Sequence, residues 1–253
     1  SLVFCLMQTS SVAQQDITKL FWASLVSIES THNSHDQYRP WRYYDIETSS
    51  FNGVAISENQ ILTTAKQLTN SAYIKIKVNK QNEYIQATIA IIDYDINLCL
   101  LTIDPKALNR PLRPVKFEGV YKKNAQVDFC WLSKKDKVYS GRGFLDHARV
   151  DKTPLSHTKL LYYLITNTST KTSASQLYAI NGKAIGIASS GNDNSSRLIP
   201  ASVINQFLDG TKKKPYHSFS AKGFSYTSLL DPTMRQYLKM PDDIQDGVYI
   251  ENV

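Results

Sequence analysis

The chain has 253 residues, 42% of them hydrophobic and 20% charged, and 29 Lys and Arg against 22 Asp and Glu give a formal charge of +7. That much apolar material supports a sizeable core in one large or two small domains, and it excludes a disordered chain, a collagen and a disulfide mini-scaffold. No apolar run approaches the roughly 20 residues that cross a bilayer as a helix, so no transmembrane segment is expected.

In chain order, residues 1–13 read as the remnant of an export signal: the apolar run Leu2 to Met7 leads to Ser11-Val12-Ala13, small residues where a signal peptidase cuts. An apolar first strand is the alternative. Export places the protein in a periplasm or outside the cell. Residues 17–29 pass from a mixed pattern into strand alternation, with Leu25 and Ser27 on one face and Val26 and Ile28 on the other. Residues 32–45 are polar and aromatic, broken by Pro40, and read as an irregular surface loop.

Short strands then follow at the spacing of a barrel or sandwich, over 53–57, 60–63, 72–78, 84–93 and 98–103. A second set spans 127–132, 138–150, 160–166, 176–180 and 184–189, with Asn181-Gly182 as a hairpin turn. Residues 200–208 carry one apolar helical face, with Pro200 at its start and Gly210 at its stop. A basic linker over 211–222 separates a β-rich domain, 16–210, from a short α+β tail, 223–253, holding a helix at 233–238 and a strand at 248–252.

Cys99 and Cys130 sit in apolar strand-like runs and read as buried free thiols, a disulfide between them being the alternative in an oxidising compartment. The histidines 32, 35, 147, 157 and 217 are scattered in polar stretches and read as solvated. No His/Cys cluster has metal-ligand spacing, so no metal and no cofactor is expected. Lys212-Lys213-Lys214 is one short run that reads as solvated linker, and no nucleic-acid partner is expected.

Several blocks, taken in order, resemble the HtrA/Deg family of trypsin-like serine proteases. Phe51 to Ile56 followed by Gln60 to Leu68 (QILTTAKQL) is similar to the family's "GSGFVI…ILTNAHVV". Asp93 to Asp104 (DYDINLCLLTID) is similar to "D…DLALLKID", and Leu164 to Leu177 lies where the family has "IDAAINSGNSGGPA". Asn181 to Ile187 matches "NGKVIGI", and Leu198-Ile199-Pro200 before Val203-Ile204 matches "YVIP…VI". Residues 223–253 resemble the first third of the family's PDZ domain. The resemblance implies an all-β, trypsin-like double β-barrel with a C-terminal helix, followed by a partial PDZ segment.

It also maps the reaction's residues. Such a protease needs a histidine to take the serine proton, a carboxylate to orient that histidine, and two backbone N–H groups for the oxyanion. The histidine position is Lys66, the aspartate position Asn97, and serine remains as Ser173. Asp95 lies two residues before Asn97; on a strand that is about 6.6 Å of rise, too far to substitute. The oxyanion loop reads Lys171-Thr172-Ser173-Ala174-Ser175-Gln176 against the family's Gly-Asn-Ser-Gly-Gly-Pro, so three non-glycine residues make its turn costlier. The family's specificity aspartate is matched by Ile165.

No catalytic residue is therefore expected, and the resemblance points to an exported pseudoprotease that binds polypeptides or assembles with partners, an active homologue among them. The alternative is a Ser-Lys hydrolase, which needs Lys66 desolvated beside Ser173. Residues Gly223, Phe224, Ser225 and Tyr226 match the PDZ loop that receives a peptide C-terminus. Family trimers make Phe21 and Trp22 candidates for subunit contacts, with a buried first strand as the other reading.

Overall fold

The structure, a computed structural model, describes residues 16–32, 38–39, 41, 45–118, 121–167, 172–219, 225–229, 231–241 and 248–252. The expected export segment, 1–13, lies outside the described residues. The mixed pattern after it resolves into two elements. Asp16 caps a short helix, α1 (Ile17–Phe21), by accepting from the Thr18 amide at 3.1 Å. Ile17 and Phe21, four residues apart, bury one face of it. A turn then leads into β1 (Leu25–His32). Phe21 is thus buried within the chain, and Trp22 is half-buried, with the Arg110 guanidinium 4.9 Å from its ring centre.

β1 is followed by β2 (Glu47–Ala55), β3 (Gln60–Thr63), β4 (Ser71–Val78), β5 (Ile85–Asp93) and β6 (Leu98–Ile103). These six close a barrel in the order β1-β2-β3-β6-β5-β4. Its interior takes the alternating apolar residues, among them Val26, Ile28, Ile61, Ile76, Cys99 and Leu101. The second barrel is built from β7 (Gln126–Leu132), β8 (Val138–Lys152), β9 (Lys159–Asn167), β10 (Leu177–Ile180), β11 (Lys183–Gly191) and β12 (Ser195–Pro200), in the order β10-β11-β12-β9-β8-β7. Phe129, Leu145, Ile165, Tyr178 and Leu198 fill it. The fold is the expected all-β double barrel.

Asn181 and Gly182 both take positive φ, +49° and +75°, and form the β10–β11 hairpin that the dipeptide foretold. β12 is a strand that the pattern hid, because its first half, Ser195-Ser196-Arg197, is polar although Ser196 is buried. After it α2 (Ala201–Thr211) packs Val203, Ile204 and Phe207 inward. Gly210 lies inside the helix rather than stopping it. The segment joining the barrels laces them together: Val115 donates to Ala55 in the first, and Glu118 to Ala184 in the second.

The expected free thiols hold, and two further expectations change. Cys99 and Cys130 are both unpaired and buried, so the disulfide alternative fails. Burial pushes the Cys99 thiol up to about 12, and it raises Cys130 as well, with Asp128 adding to the effect. His32 is not solvated: its ring nitrogens lie 2.9 Å from the Thr69 carbonyl and 2.7 Å from the Ser49 hydroxyl, tying the ends of β1 and β2 together. The linker's first half is docked, because Tyr216 packs edge-on against Phe207.

The chain divides into two units, Ser1–Ser218 and Phe219–Val253. In the second, β13 (Ser225–Ser228) pairs antiparallel with β14 (Val248–Asn252). Asp231 caps α3 (Pro232–Tyr237) by accepting from the Thr233 and Met234 amides.

Gly186, in the middle of β11, permits the β11–β12 approach: a Cβ there would lie 2.1 Å from the Ile199 carbonyl oxygen. Backbone cannot yield without breaking that ladder. Gly186→Ala is expected to cost about 1–3 kcal/mol of unfolding free energy in urea titration, and an unchanged midpoint would contradict the packing described.

Candidate functional site

The site is assembled from the turn that joins β5 to β6. Asp93 ends β5 with its carboxylate buried, and one oxygen accepts from the amides of Asp95 (2.9 Å) and Ile96 (3.2 Å). The other accepts from the Tyr216 hydroxyl. This tie closes the turn and leaves Asn97 with φ +58°, a left-handed conformation that asparagine tolerates. Asp95 and Asn97 therefore share a turn, not a strand face as the sequence implied; Asp95 is exposed while Asn97 is fully buried.

Asn97 joins both barrels. Its Oδ1 accepts from the Lys66 amide at 2.9 Å, and its Nδ2 donates to the Ser189 hydroxyl of β11 at 3.1 Å. Lys66 lies in a single helical turn after β3 (Ala65–Leu68), and its side chain is exposed. A lysine becomes a base near neutrality only when burial strips its solvation. Among the described residues, no hydrogen bond joins Lys66 to Ser173.

Ser173 is exposed as well. Its amide, the donor that an oxyanion hole needs, gives its proton to Oε1 of Gln176 at 3.3 Å. Gln176 is buried where the family carries proline, so an internal carbonyl occupies a donor that a protease keeps for substrate. Lys171, the first loop position, lies outside the described residues. Among the described loop residues only Ser175 adopts positive φ, +65°. Of the two described positions where glycine was expected, Ala174 and Ser175, only Ser175 therefore carries that cost.

The Ser175 side chain compensates. It is fully buried, and its hydroxyl lies 2.7 Å from the Thr64 hydroxyl, 3.1 Å from that of Thr63 and 3.2 Å from the Thr64 amide. A loop of the second barrel is thereby pinned onto the first, one residue before Ala65.

On the other side the loop closes against the β11–β12 turn. The Thr172 amide and hydroxyl both donate to the Asn192 carbonyl, at 3.2 and 2.9 Å. A Cβ on Gly191 would lie 2.3 Å from the Thr172 hydroxyl. Asn167, Thr172, Ser196 and Tyr178 then complete a buried network, in which Ser196 lies 2.8 Å from the Thr172 hydroxyl and Tyr178 donates to Ser196 at 2.6 Å. The loop and the β11–β12 turn are thus joined side by side at Thr172 and Asn192. Ile165, at the family's specificity position, is buried in the barrel interior.

Of the residues read from sequence, the fold brings Lys66 and Asn97 together and places Ser173 on the facing loop. Sequence reading missed Asp93, Ser175, Gln176, Ser189 and Tyr216. The available signal was a polar residue inside or at the end of an apolar run, as at Ser189 after Ile185-Gly186-Ile187-Ala188. Gly223 and Phe224 lie outside the described residues; Ser225 opens β13, and Tyr226 pairs with Ile250.

No family model matches the chain. It is 23% identical over 218 residues to a serine protease DegP homolog of Plasmodium falciparum, covering 84% of this chain and 25% of that protein. It is 22% identical over 237 residues to Protease Do-like 4, mitochondrial, of Arabidopsis thaliana, covering 91% and 45%. The chain thus spans less than half the length of these relatives. Among solved structures, the HtrA-type protease AlgW with decapeptide superposes with a TM-score of 0.66 at 13% identity, over 96% of this chain and 79% of that one. The active form of the Rv3671c protease of M. tuberculosis gives 0.62 at 14%, over 88% and 97%. The trypsin-like fold and the similarity to HtrA/Deg serine proteases agree with the blocks read in the sequence.

Two outcomes follow from the site's hydrogen bonds. Asn97→Ala strands the Lys66 amide and is expected to cost about 1–3 kcal/mol, and Asn97→Asp, which buries a carboxylate with no cation beside it, is expected to cost at least as much at neutral pH; an unchanged urea midpoint for either would contradict the bridge. Burial raises the pKa of Tyr178, and burial followed by the Asp93 hydrogen bond raises that of Tyr216. Their folded values exceed the unfolded value of about 10, so their contribution is complete below it and fades as pH climbs through the folded values. Stability should hold to about pH 10 and fall beyond it, and Tyr178→Phe/Tyr216→Phe should flatten that fall.

Proposed function

We propose that this chain is a catalytically silent relative of HtrA/Deg serine proteases, exported to a periplasm or the cell exterior, that binds polypeptides or assembles with protein partners. The carrying observation is Asn97, a neutral amide that spends its carbonyl on the Lys66 backbone and its N–H on Ser189. It leaves no carboxylate to orient a base, and the residue beside it carries an exposed ammonium. The donation from the Ser173 amide to Gln176 supports the same reading, because it removes an oxyanion donor. The Ser-Lys alternative loses ground on the exposure of Lys66.

Binding without cleavage is consistent with a protease scaffold whose relative AlgW was solved with a decapeptide. The segment from Gly223 to Tyr226 would add a site for chain ends if it continues into a PDZ domain. Homotrimers and pairing with an active homologue are the assemblies this scaffold favours.

The test uses an unfolded probe, reduced and carboxymethylated α-lactalbumin. The protein should retain the probe on a sizing column and release it intact after overnight incubation. Fragments that appear with the wild type and vanish with Ser173→Ala would contradict the proposal, as would failure to retain the probe.

A further inference from the structure

The ladder that closes the first barrel between β4 and β5 is short. β4 pairs with β5 only at Lys75↔Gln86 and Ile76↔Ile85. β5 nevertheless runs on to Asp93 in register with β6, and β4 runs back to Ser71 in register with β1. Beyond the two shared pairs the strands diverge, and the side chains record it. Along β5 the inward positions Ile85 and Ala87 are each 5% exposed, but the next one, Ile89, is 40% exposed. Along β4, Ile76 and Ile74 are buried, but the next inward position, Ala72, is exposed. Residues that alternation assigns to the core are uncovered at the same place on both strands.

The stretch of β5 beyond its last pair with β4 reads Ala87-Thr88-Ile89-Ala90-Ile91-Ile92. It carries no charge, proline or glycine, although a bulge interrupts its register between Ile89 and Ile91. Natural edges are usually blunted by lysine, proline, a bulge or a very short strand; of these this one has only the bulge. Exposed Tyr73 and Tyr94 lie beside it on β4 and on the turn after β5. Among the described residues no other strand pairs with the outer side of 87–92.

We propose that this edge is a polypeptide-binding site, separate from the degenerate triad, which takes an extended, uncharged segment of about six residues as an added strand. The proposal rests on the polypeptide-binding reading above. Strand-edge N–H and C=O groups alternate at a spacing that another extended backbone matches, which selects a peptide over a small molecule. Ile89 and Ala72, both on the inward face, supply an apolar contact for β-branched or aromatic side chains. Six edge residues fall well short of the roughly 20–30 residues a side in a stable interface, which favours a short peptide segment over a second copy of the chain.

The experiment uses the full chain and the same carboxymethylated α-lactalbumin, with hydrogen exchange and fluorescence anisotropy as readouts. Saturating probe should slow amide exchange across 87–92, and Ile89→Lys should weaken binding about tenfold. Val150→Lys, at an exposed apolar position on β8, should leave binding unchanged. If the wild type binds the probe with exchange at 87–92 unaltered, and Ile89→Lys binds as well as wild type, the edge is not the site while the polypeptide-binding reading stands. If the wild type does not bind, both fall. A wild-type dimer in sedimentation that Ile89→Lys dissolves would assign the edge to a second copy and overturn the proposal.

Discussion

A neutral amide buried between two barrels is the constraint on which the rest of this site depends. Asn97 has no solvent contact, so each of its polar atoms needs a partner inside. A carboxylate at the same place would be a buried charge, tolerable only beside a cation that shares its burial. The Lys66 side chain is out in solvent and is a poor counterion for that cavity. An amide escapes the difficulty: it accepts from the Lys66 backbone, donates to Ser189, and needs no charge on either side.

The same economy runs through the facing loop. A serine at position 175 holds a left-handed φ that costs roughly 1–2 kcal/mol, yet its hydroxyl reaches Thr63 and Thr64. Each such bond returns about 0.5–1.5 kcal/mol, so the exchange is close to neutral and rivets the loop to the first barrel. Gln176 turns inward onto the Ser173 amide, and Thr172 is fastened to Asn192. Groups that a hydrolase would hold open for a substrate are closed on one another. These bonds fix the loop against its neighbours.

The double barrel was legible because strand alternation and turn residues are set by local chemistry. The Asn181-Gly182 turn and the strands around Ile61, Ile76 and Leu101 are dictated by local chemistry and burial. Lys66, Asn97 and Ser173 were singled out by block order, and the fold brings Lys66 and Asn97 together with Ser173 on the facing loop. Their partners were not legible. Ser189, Gln176 and Tyr216 act across 92, 3 and 123 residues of chain respectively, through contacts that no periodicity announces. β12 escaped notice because its polar half is buried by hydrogen bonding to Asn167 and Thr172 rather than by apolar packing. The opening between β4 and β5 was hidden as well, because alternation specifies which face is inward and not whether the neighbouring strand stays.

The claim that the cleft is chemically closed has a direct measurement: intact-mass analysis after exposure of the folded protein to a fluorophosphonate. That reagent reports whether a serine hydroxyl is both activated by a base and served by an oxyanion hole. The account predicts no adduct at Ser173 across pH 6 to 10, an interval wide enough to include a lysine brought part-way toward neutrality. A stoichiometric adduct at Ser173 that grows with rising pH would contradict it and restore a working nucleophile to this scaffold.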